Sequence, residues 1–292
     1  MKFPLIKNTT RSSKLLIFML LLVFGLVFSS IVSVFVGVSG DNGLAAVVNL
    51  QIAQIISQVV GLLLPPLIYV CLVQEKPFKY LGFKQLPLWS LLGIVTMLTI
   101  LPFNTMVAEW NESFEFPTII KKMQEAATAI SEKMMNEGNL IVNLLIFGAL
   151  AAVSEELLFR SVIQKAFLKI IRNPHVAIIV TAVLFSAFHM EFYGFFPRFI
   201  LGLMLGYMFW LSDSIWSTIL MHFVNNATIV ILFFMNKKEI INIDVEHFGS
   251  TNNVLVILLS LITTVAIFWT CNRLNKRHFD RPEGAEKSPS IQ

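Results

Sequence analysis

Long apolar runs divide this chain into segments of membrane-spanning length, and they constrain its fold more than any other feature. A helix needs about 20 apolar residues to cross the hydrocarbon core of a bilayer. Eight runs meet or approach this length, at residues 15–38, 44–73, 88–108, 140–168, 175–190, 197–212, 214–235 and 253–271. Because lipid offers no partner to an unpaired backbone amide, each run is predicted to be helical.

The composition supports the same fold class. Of the 292 residues, 56% are hydrophobic and 14% are charged, whereas soluble domains have about 25% charged residues. We predict an all-α fold, a polytopic transmembrane bundle of about eight spans. A single membrane domain, 15–271, is expected between an N-terminal tail, 1–14, and a disordered C-terminal tail, 272–292. Cys71 and Cys271 both fall within apolar runs, so we expect packing residues rather than a disulfide or metal site.

The basic residues predict an orientation in the membrane. Lysine and arginine concentrate in the two tails, in the loop 74–87 and in the turn after residue 164. With eight crossings all four regions lie on one side, which the positive-inside rule makes cytoplasmic. Both termini are therefore predicted to be cytoplasmic, and the net charge of +4 does not indicate nucleic-acid binding.

The hydrophilic segment 109–138 lies on the opposite side in this topology. Its part FPTIIKKMQEAATAISEKMMNEG has apolar residues at helical spacing between charges, which predicts an amphipathic helix. Two interpretations stay open: a helix in the outer membrane interface, or an ordinary extramembrane helix packed on the bundle.

Two glutamates and an arginine interrupt the fourth apolar run. Charged residues inside a span are costly and usually face the protein interior, so each is a candidate functional residue. Glu156 and Arg160 are four residues apart and share a helix face, where they can form an ion pair. Glu155 projects about 100° away from Glu156 around the helix and is left for a different role.

Further polar residues lie in two other runs. His189 stands near the end of the fifth run, one helical turn after Phe185. In the seventh run, His222 and Asn226 share a helix face, and Asn225 lies one residue away and is interpreted as a bystander. We assign no role to Glu191 and Arg198, because charges at the membrane interface cost little.

These side chains suit a hydrolytic centre. A glutamate can act as a general base on a water that a histidine helps to hold. Imidazole and amide N–H groups on a facing helix can stabilise an oxyanion. Alternatively, Glu155, His189 and His222 can ligate Zn²⁺, which accepts imidazole nitrogen and carboxylate oxygen. Single buried histidines and asparagines also join helices, so a structural role stays open for each.

Three motifs resemble those of the CPBP family, which comprises intramembrane proteases related to the type II CAAX prenyl endopeptidases and also called Abi proteins. EELLFR at 155–160 matches E-E-x-x-x-R, FSAFH at 185–189 matches F-x-x-x-H, and HFVNN at 222–226 matches H-x-x-x-N. The resemblance covers about residues 140–236, which it makes a protease-like core.

The resemblance implies a division of roles within this core. It makes Glu155 and His189 the pair that activates water, and His222 and Asn226 the oxyanion donors. The remaining motif residues, Glu156, Arg160 and Phe185, become structural support. The chemistry of the family is either zinc-dependent or a metal-free glutamate mechanism.

The predicted function is therefore an intramembrane endopeptidase for membrane-associated protein or peptide substrates. As a bacterial member, the protein is expected in the inner cell membrane. The alternative is a non-catalytic membrane protein of the same fold, for example a bacteriocin self-immunity protein or a sensor-kinase partner. A proton-coupled transporter fits less well, because the sequence contains no inverted repeat.

Overall fold

The computed structural model describes residues 4, 6, 10–38, 44–245 and 247–275, and the described part is helical without strands. The helices are α1 (Arg11–Val38), α2 (Ala45–Val73), α3 (Pro77–Leu81), α4 (Leu88–Thr99), α5 (Leu101–Glu112), α6 (Thr118–Glu137), α7 (Leu140–Ile170), α8 (Pro174–Phe188), α9 (Phe195–Ser212), α10 (Ile215–Lys237) and α11 (Val254–Leu274). The predicted disorder of the C-terminal tail concerns residues outside the described part.

The predicted all-α membrane bundle is confirmed. In the described part of the chain, six helices are long and apolar enough to span a membrane. The bent pair α4–α5 makes a seventh if it forms one span, and α8 is a shorter apolar helix. Each of the eight predicted runs therefore corresponds to a helix or to this bent pair, and the protein is a multi-pass membrane protein.

Contacts between loops divide the molecule into two ends. At the first, which we call the basic end, Lys84 pairs with Asp213 and the buried Lys165 donates to the carbonyl of Tyr80. The second we call the cavity end, because the cavity described below opens toward it. There the Asn111 amide donates to the Phe192 carbonyl over 3.1 Å. There, too, His247 Nε2 lies 3.2 Å from a carboxylate oxygen of Glu112. This division matches the order of sides that eight crossings produce.

Prolines explain two irregular places in the bundle. The third predicted run, 88–108, bends by 47° between α4 and α5. Pro102 in the first turn of α5 lacks an N–H and cannot continue the hydrogen bonding of α4. Pro65 and Pro66 in α2 are accommodated without a break: the preceding residues Ser57–Leu63 form a π-helical segment, and α2 continues to Val73.

Candidate active site

Helix α7 presents the two glutamates from an irregular stretch of backbone. A short regular segment, Ala151–Glu156, lies between two π-helical segments, Leu144–Leu150 and Leu157–Gln164. π-Helical turns change the i→i−4 pairing of the backbone and are frequent at functional sites. The carbonyl of Phe147 accepts a hydrogen bond of 3.0 Å from Asn226 Nδ2 on α10, so this stretch is tied directly to the histidine-bearing helix.

Glu156 joins the predicted ion pair to the candidate catalytic histidine of α10. Its Oε2 lies 3.1 Å from Arg160 Nε, and both side chains are completely buried. Its Oε1 lies 3.0 Å from His222 Nδ1. The guanidinium of Arg160 also lies 4.8 Å above the ring of Phe185. Spacing predicted the contact between Glu156 and Arg160, and the structure adds His222 to it.

Glu155 faces both histidines. Its Oε2 lies 3.7 Å from His189 Nε2 and 3.8 Å from His222 Nε2. This oxygen is buried and has no hydrogen-bond partner in the described part of the chain. A buried carboxylate oxygen without a partner is costly, which indicates a position that a water, a proton donor or a cation fills.

In each imidazole, Nδ1 is engaged by a neighbouring acceptor and Nε2 faces Glu155. His189 Nδ1 lies 2.9 Å from the carbonyl oxygen of Phe185, and His222 Nδ1 contacts Glu156. Because both acceptors require a proton on Nδ1, the neutral imidazoles direct unprotonated Nε2 atoms toward Glu155. The ring of Phe185 lies between them, with its centroid 5.2 Å from that of His189 and 5.8 Å from that of His222.

The cluster has an unbalanced charge when both histidines are neutral. Glu155 and Glu156 carry two negative charges, and the buried Arg160 supplies one positive charge. Three acceptor atoms, the Glu155 oxygen and two Nε2 atoms, then converge without a donor between them. One additional positive charge, either a proton on an imidazole or a metal ion, would balance the site.

The asparagines of α10 complete one wall of the site. Asn226 uses one N–H for the Phe147 carbonyl, and its second N–H makes no hydrogen bond to the described residues. Asn225, which the sequence interpretation treated as a bystander, donates to Asn226 Oδ1 over 3.1 Å. Both amides line the same cavity as Glu155.

This cavity has a volume of about 840 Å³ and extends toward the cavity end of the bundle. Five of the seven motif residues line its inner part, namely Glu155, Phe185, His189, His222 and Asn226. Its outer part is bordered by α5, α6, the turn after α8 and Val245 with Phe248. The volume is sufficient for several residues of an extended peptide or for one lipidated segment.

The turn that follows His189 is held by side chains that sequence analysis did not connect with the site. Met190 has a φ of 56°, a left-handed conformation that costs energy in a residue other than glycine. Arg198 forms an ion pair with Glu191 and donates to its carbonyl over 3.2 Å. The completely buried Asn111 donates to Phe192 and accepts from the amide of Phe196. Asn111 belongs to the hydrophilic segment 109–138, far from this turn in sequence, and sequence spacing carries no signal for that contact.

The ligand atoms that Glu155 and the two histidines offer are of the types that zinc binds in proteins. Two imidazole Nε2 atoms and one carboxylate oxygen form a His₂Glu set, and each imidazole is held through its other nitrogen, as in many zinc sites. Glu155 Oε2 lies 3.7 and 3.8 Å from the two Nε2 atoms, slightly more than the roughly 3.4 Å expected between ligands of tetrahedral zinc. No group of three or more His, Cys, Asp or Glu within the described residues meets the spacing of a metal site. The donors therefore match zinc in type, but in their described positions they do not form a metal site.

The comparison with protein families matches residues 137–228 to the family described as type II CAAX prenyl endopeptidase Rce1-like. The match contains all three motifs and most of the predicted protease-like core. It confirms the resemblance over this segment and supports a hydrolase of the protease class. No curated protein and no solved structure matches the chain significantly.

Proposed function

We propose that this protein is an intramembrane endopeptidase that hydrolyses peptide bonds of membrane-associated proteins or peptides. The observation that carries the proposal is the buried, unpartnered Oε2 of Glu155, which faces two imidazole Nε2 atoms and opens into the cavity. The family match over residues 137–228 supports the same reaction class.

Glu155 acts as the general base in this mechanism. A water between Glu155 and His189 Nε2 gives one proton to the carboxylate and attacks the carbonyl carbon of the substrate. The carbonyl π electrons move to oxygen and form a tetrahedral oxyanion. The proton on Glu155 then passes to the departing amine nitrogen as the C–N bond breaks, and the carboxylate is restored.

His222 and Asn226 stabilise the oxyanion in the metal-free route. Nδ1 of His222 is held by Glu156, so an added proton occupies Nε2 and supplies the positive charge that balances the cluster. The second N–H of Asn226 is the other donor. Removing one oxyanion donor from a hydrolase typically slows turnover by about 10²–10³-fold.

Zinc is the alternative source of the balancing charge. Glu155, His189 and His222 would hold the ion, and zinc would supply a Lewis acid that lowers the pKa of a bound water. The zinc content of purified protein, compared with that of a variant carrying both His189→Ala and His222→Ala, distinguishes the routes. Stoichiometric zinc that is lost in the double variant supports the metal route.

The position of the cavity supports a membrane-held substrate, and the basic loops support an orientation in the membrane. The charged cluster lies among spanning helices, so a substrate held in the bilayer can reach it without leaving the membrane. The positive-inside rule, applied to the basic loops, supports a proposed orientation with both termini in the cytoplasm, in the inner membrane of a bacterial cell. The cavity end then lies on the extracytoplasmic side.

The test uses purified protein in proteoliposomes and a fluorogenic peptide with a farnesylated CAAX terminus, the class that the family match indicates. Glu155→Gln preserves shape and removes the base, so we expect turnover to fall by at least about 10³-fold. Glu75→Gln, at the exposed basic end, is the matched control and should keep full activity.

Retained turnover in Glu155→Gln would refute the proposal. If a cellular phenotype of the protein also survives this substitution, the non-catalytic immunity or partner role is favoured instead.

A further inference from the structure

Helix α6 turns its polar side toward the cavity. Seven of its residues line the cavity: Lys121, Gln124, Glu125, Thr128, Ser131, Glu132 and Met135. At 100° per residue they occupy an arc of about 120°, and six of the seven are polar. A helix on the surface of a soluble protein has the reverse arrangement, with its apolar side toward the interior.

The apolar residues of α6 are only partly used in packing. Met134 is buried against the protein, but Ile119, Met123 and Ile130 are 66%, 53% and 46% exposed. These three residues, which we call the exposed stripe, lie on nearly the opposite side of the helix from the residues that line the cavity. An apolar stripe of this kind indicates a partner surface of apolar character.

The surroundings of α6 identify that partner as lipid. Helix α6 contacts α2 and the start of α7, and both present exposed apolar residues. Val48 and Ile52 on α2 are 44% and 41% exposed, and Ile141 on α7 is 66% exposed. Because α2 and α7 are long and apolar enough to span a membrane, their exposed apolar residues are expected to face lipid, and α6 is in contact with both helices.

The hydrogen bonds that hold α6 to other helices lie at its C-terminal end. Asn143 Nδ2 donates to the carbonyl of Met134 over 2.9 Å, and Gln51 Nε2 donates to Asn143 Oδ1 over 2.9 Å. Over residues 118–133, side chains make no hydrogen bond or ion pair to another helix in the described part of the chain. The position of this longer part therefore depends on apolar contacts.

We infer that α6 is bound to the bilayer through its exposed stripe and forms the roof of the cavity with its polar side. The partner is the interfacial region of a phospholipid bilayer, with Ile119, Met123 and Ile130 in contact with acyl chains. This placement needs only the membrane fold and holds independently of the proposed peptidase activity.

The inference is tested with single cysteines carrying an environment-sensitive NBD fluorophore. Met123→Cys and Ile130→Cys probe the exposed stripe, and Glu125→Cys is the matched control on the cavity side at a similar height. Each is introduced after Cys71 and Cys271 have been replaced by alanine. The labelled proteins are reconstituted in phosphatidylcholine–phosphatidylglycerol vesicles that contain phosphatidylcholine with a nitroxide at a shallow acyl position.

Labels on the stripe should be quenched at least about twofold more strongly than the label at Glu125. Equal quenching on both sides, or no quenching on the stripe, would overturn the inference. A second copy of the chain covering the stripe would protect it from nitroxide and allow a disulfide between two Met123→Cys chains, which also overturns it. Repeating the measurement in Glu155→Gln should give the same quenching, because the placement does not require catalysis.

Discussion

Glu155 and Glu156 are neighbours in sequence but lie in different surroundings. Glu156 is completely buried between Arg160 and His222: its Oε1 is hydrogen-bonded to His222, and its Oε2 lies in the ion pair with Arg160, which compensates its charge. Glu155 points into the cavity with an oxygen that lacks a hydrogen-bond partner among the described residues. The helical angle between adjacent residues places one carboxylate in the buried ion pair with Arg160 and the other at the wall of the cavity.

This difference predicts opposite phenotypes for the same substitution. Glu156→Gln leaves the buried Arg160 charge without its counter-ion, and breaking such a pair costs about 3–5 kcal/mol. We expect a large loss of thermal stability in detergent, measured by size-exclusion chromatography after heating. Glu155→Gln should be at least as stable as the wild type, since it removes a poorly satisfied buried charge.

A double variant that also replaces Arg160 is the control for this prediction. A double variant, Glu156→Gln with Arg160→Met, removes both charges and should recover part of the stability lost in Glu156→Gln. Equal stability of the two single glutamine variants would show that the assignment of Glu156 as the compensated carboxylate is wrong.

The contacts within one helix of this site can be predicted from sequence. The contacts between helices depend on how the helices are rotated relative to one another. Spacing of four residues predicted the contact of Glu156 with Arg160 and that of Phe185 with His189. The hydrogen bond from His222 to Glu156 joins residues on two helices, and no spacing rule fixes their relative rotation. The catalytic roles of these residues stay predictions.

At the scale of elements, hydropathy located the helices but not their internal irregularities. A π-helical segment needs no special composition, so the two segments of α7 leave no signal in the sequence. The bend between α4 and α5 has a sequence cause in Pro102, but a proline inside a span can also be tolerated without a break.

The connection between α10 and α11 contains a pH-sensitive contact at the cavity end. His247 Nδ1 lies 2.8 Å from Asp244, and its Nε2 lies 3.2 Å from Glu112 at the end of α5. Hydrogen bonding to Asp244, reinforced by Glu112, raises the pKa of His247 above its ordinary value of 6.5. The protonated imidazolium therefore ties this connection to α5.

A raised pKa means that the contact is complete below the unfolded pKa of His247 and is lost as pH rises through its folded pKa. We expect the amides of Phe248 and Ser250 to exchange hydrogen with less protection, after correction for intrinsic exchange, once the pH passes that folded pKa. His247→Gln should abolish the pH dependence. Unchanged protection across this range in the wild type would contradict the prediction.

At the scale of the whole molecule, the two sets of loop contacts place the cavity opposite the basic loops. Lys84 and Lys165 make their contacts at the basic end, whereas Asn111 and His247 make theirs at the cavity end. Eight crossings generate this alternation, although α8 is shorter than a typical span. A shorter helix can cross where neighbouring helices shield its ends or the bilayer thins.

The orientation is tested with a membrane-impermeant maleimide on intact cells. Ile240→Cys is 63% exposed in the connection after α10, and Lys79→Cys is exposed at the basic end. With Cys71 and Cys271 replaced by alanine, we expect Ile240→Cys to react in intact cells. Lys79→Cys should react only after permeabilisation, because basic loops are retained in the cytoplasm. The reverse labelling pattern would place the cavity on the cytoplasmic side, and substrates would then have to reach Glu155 from the cytoplasm.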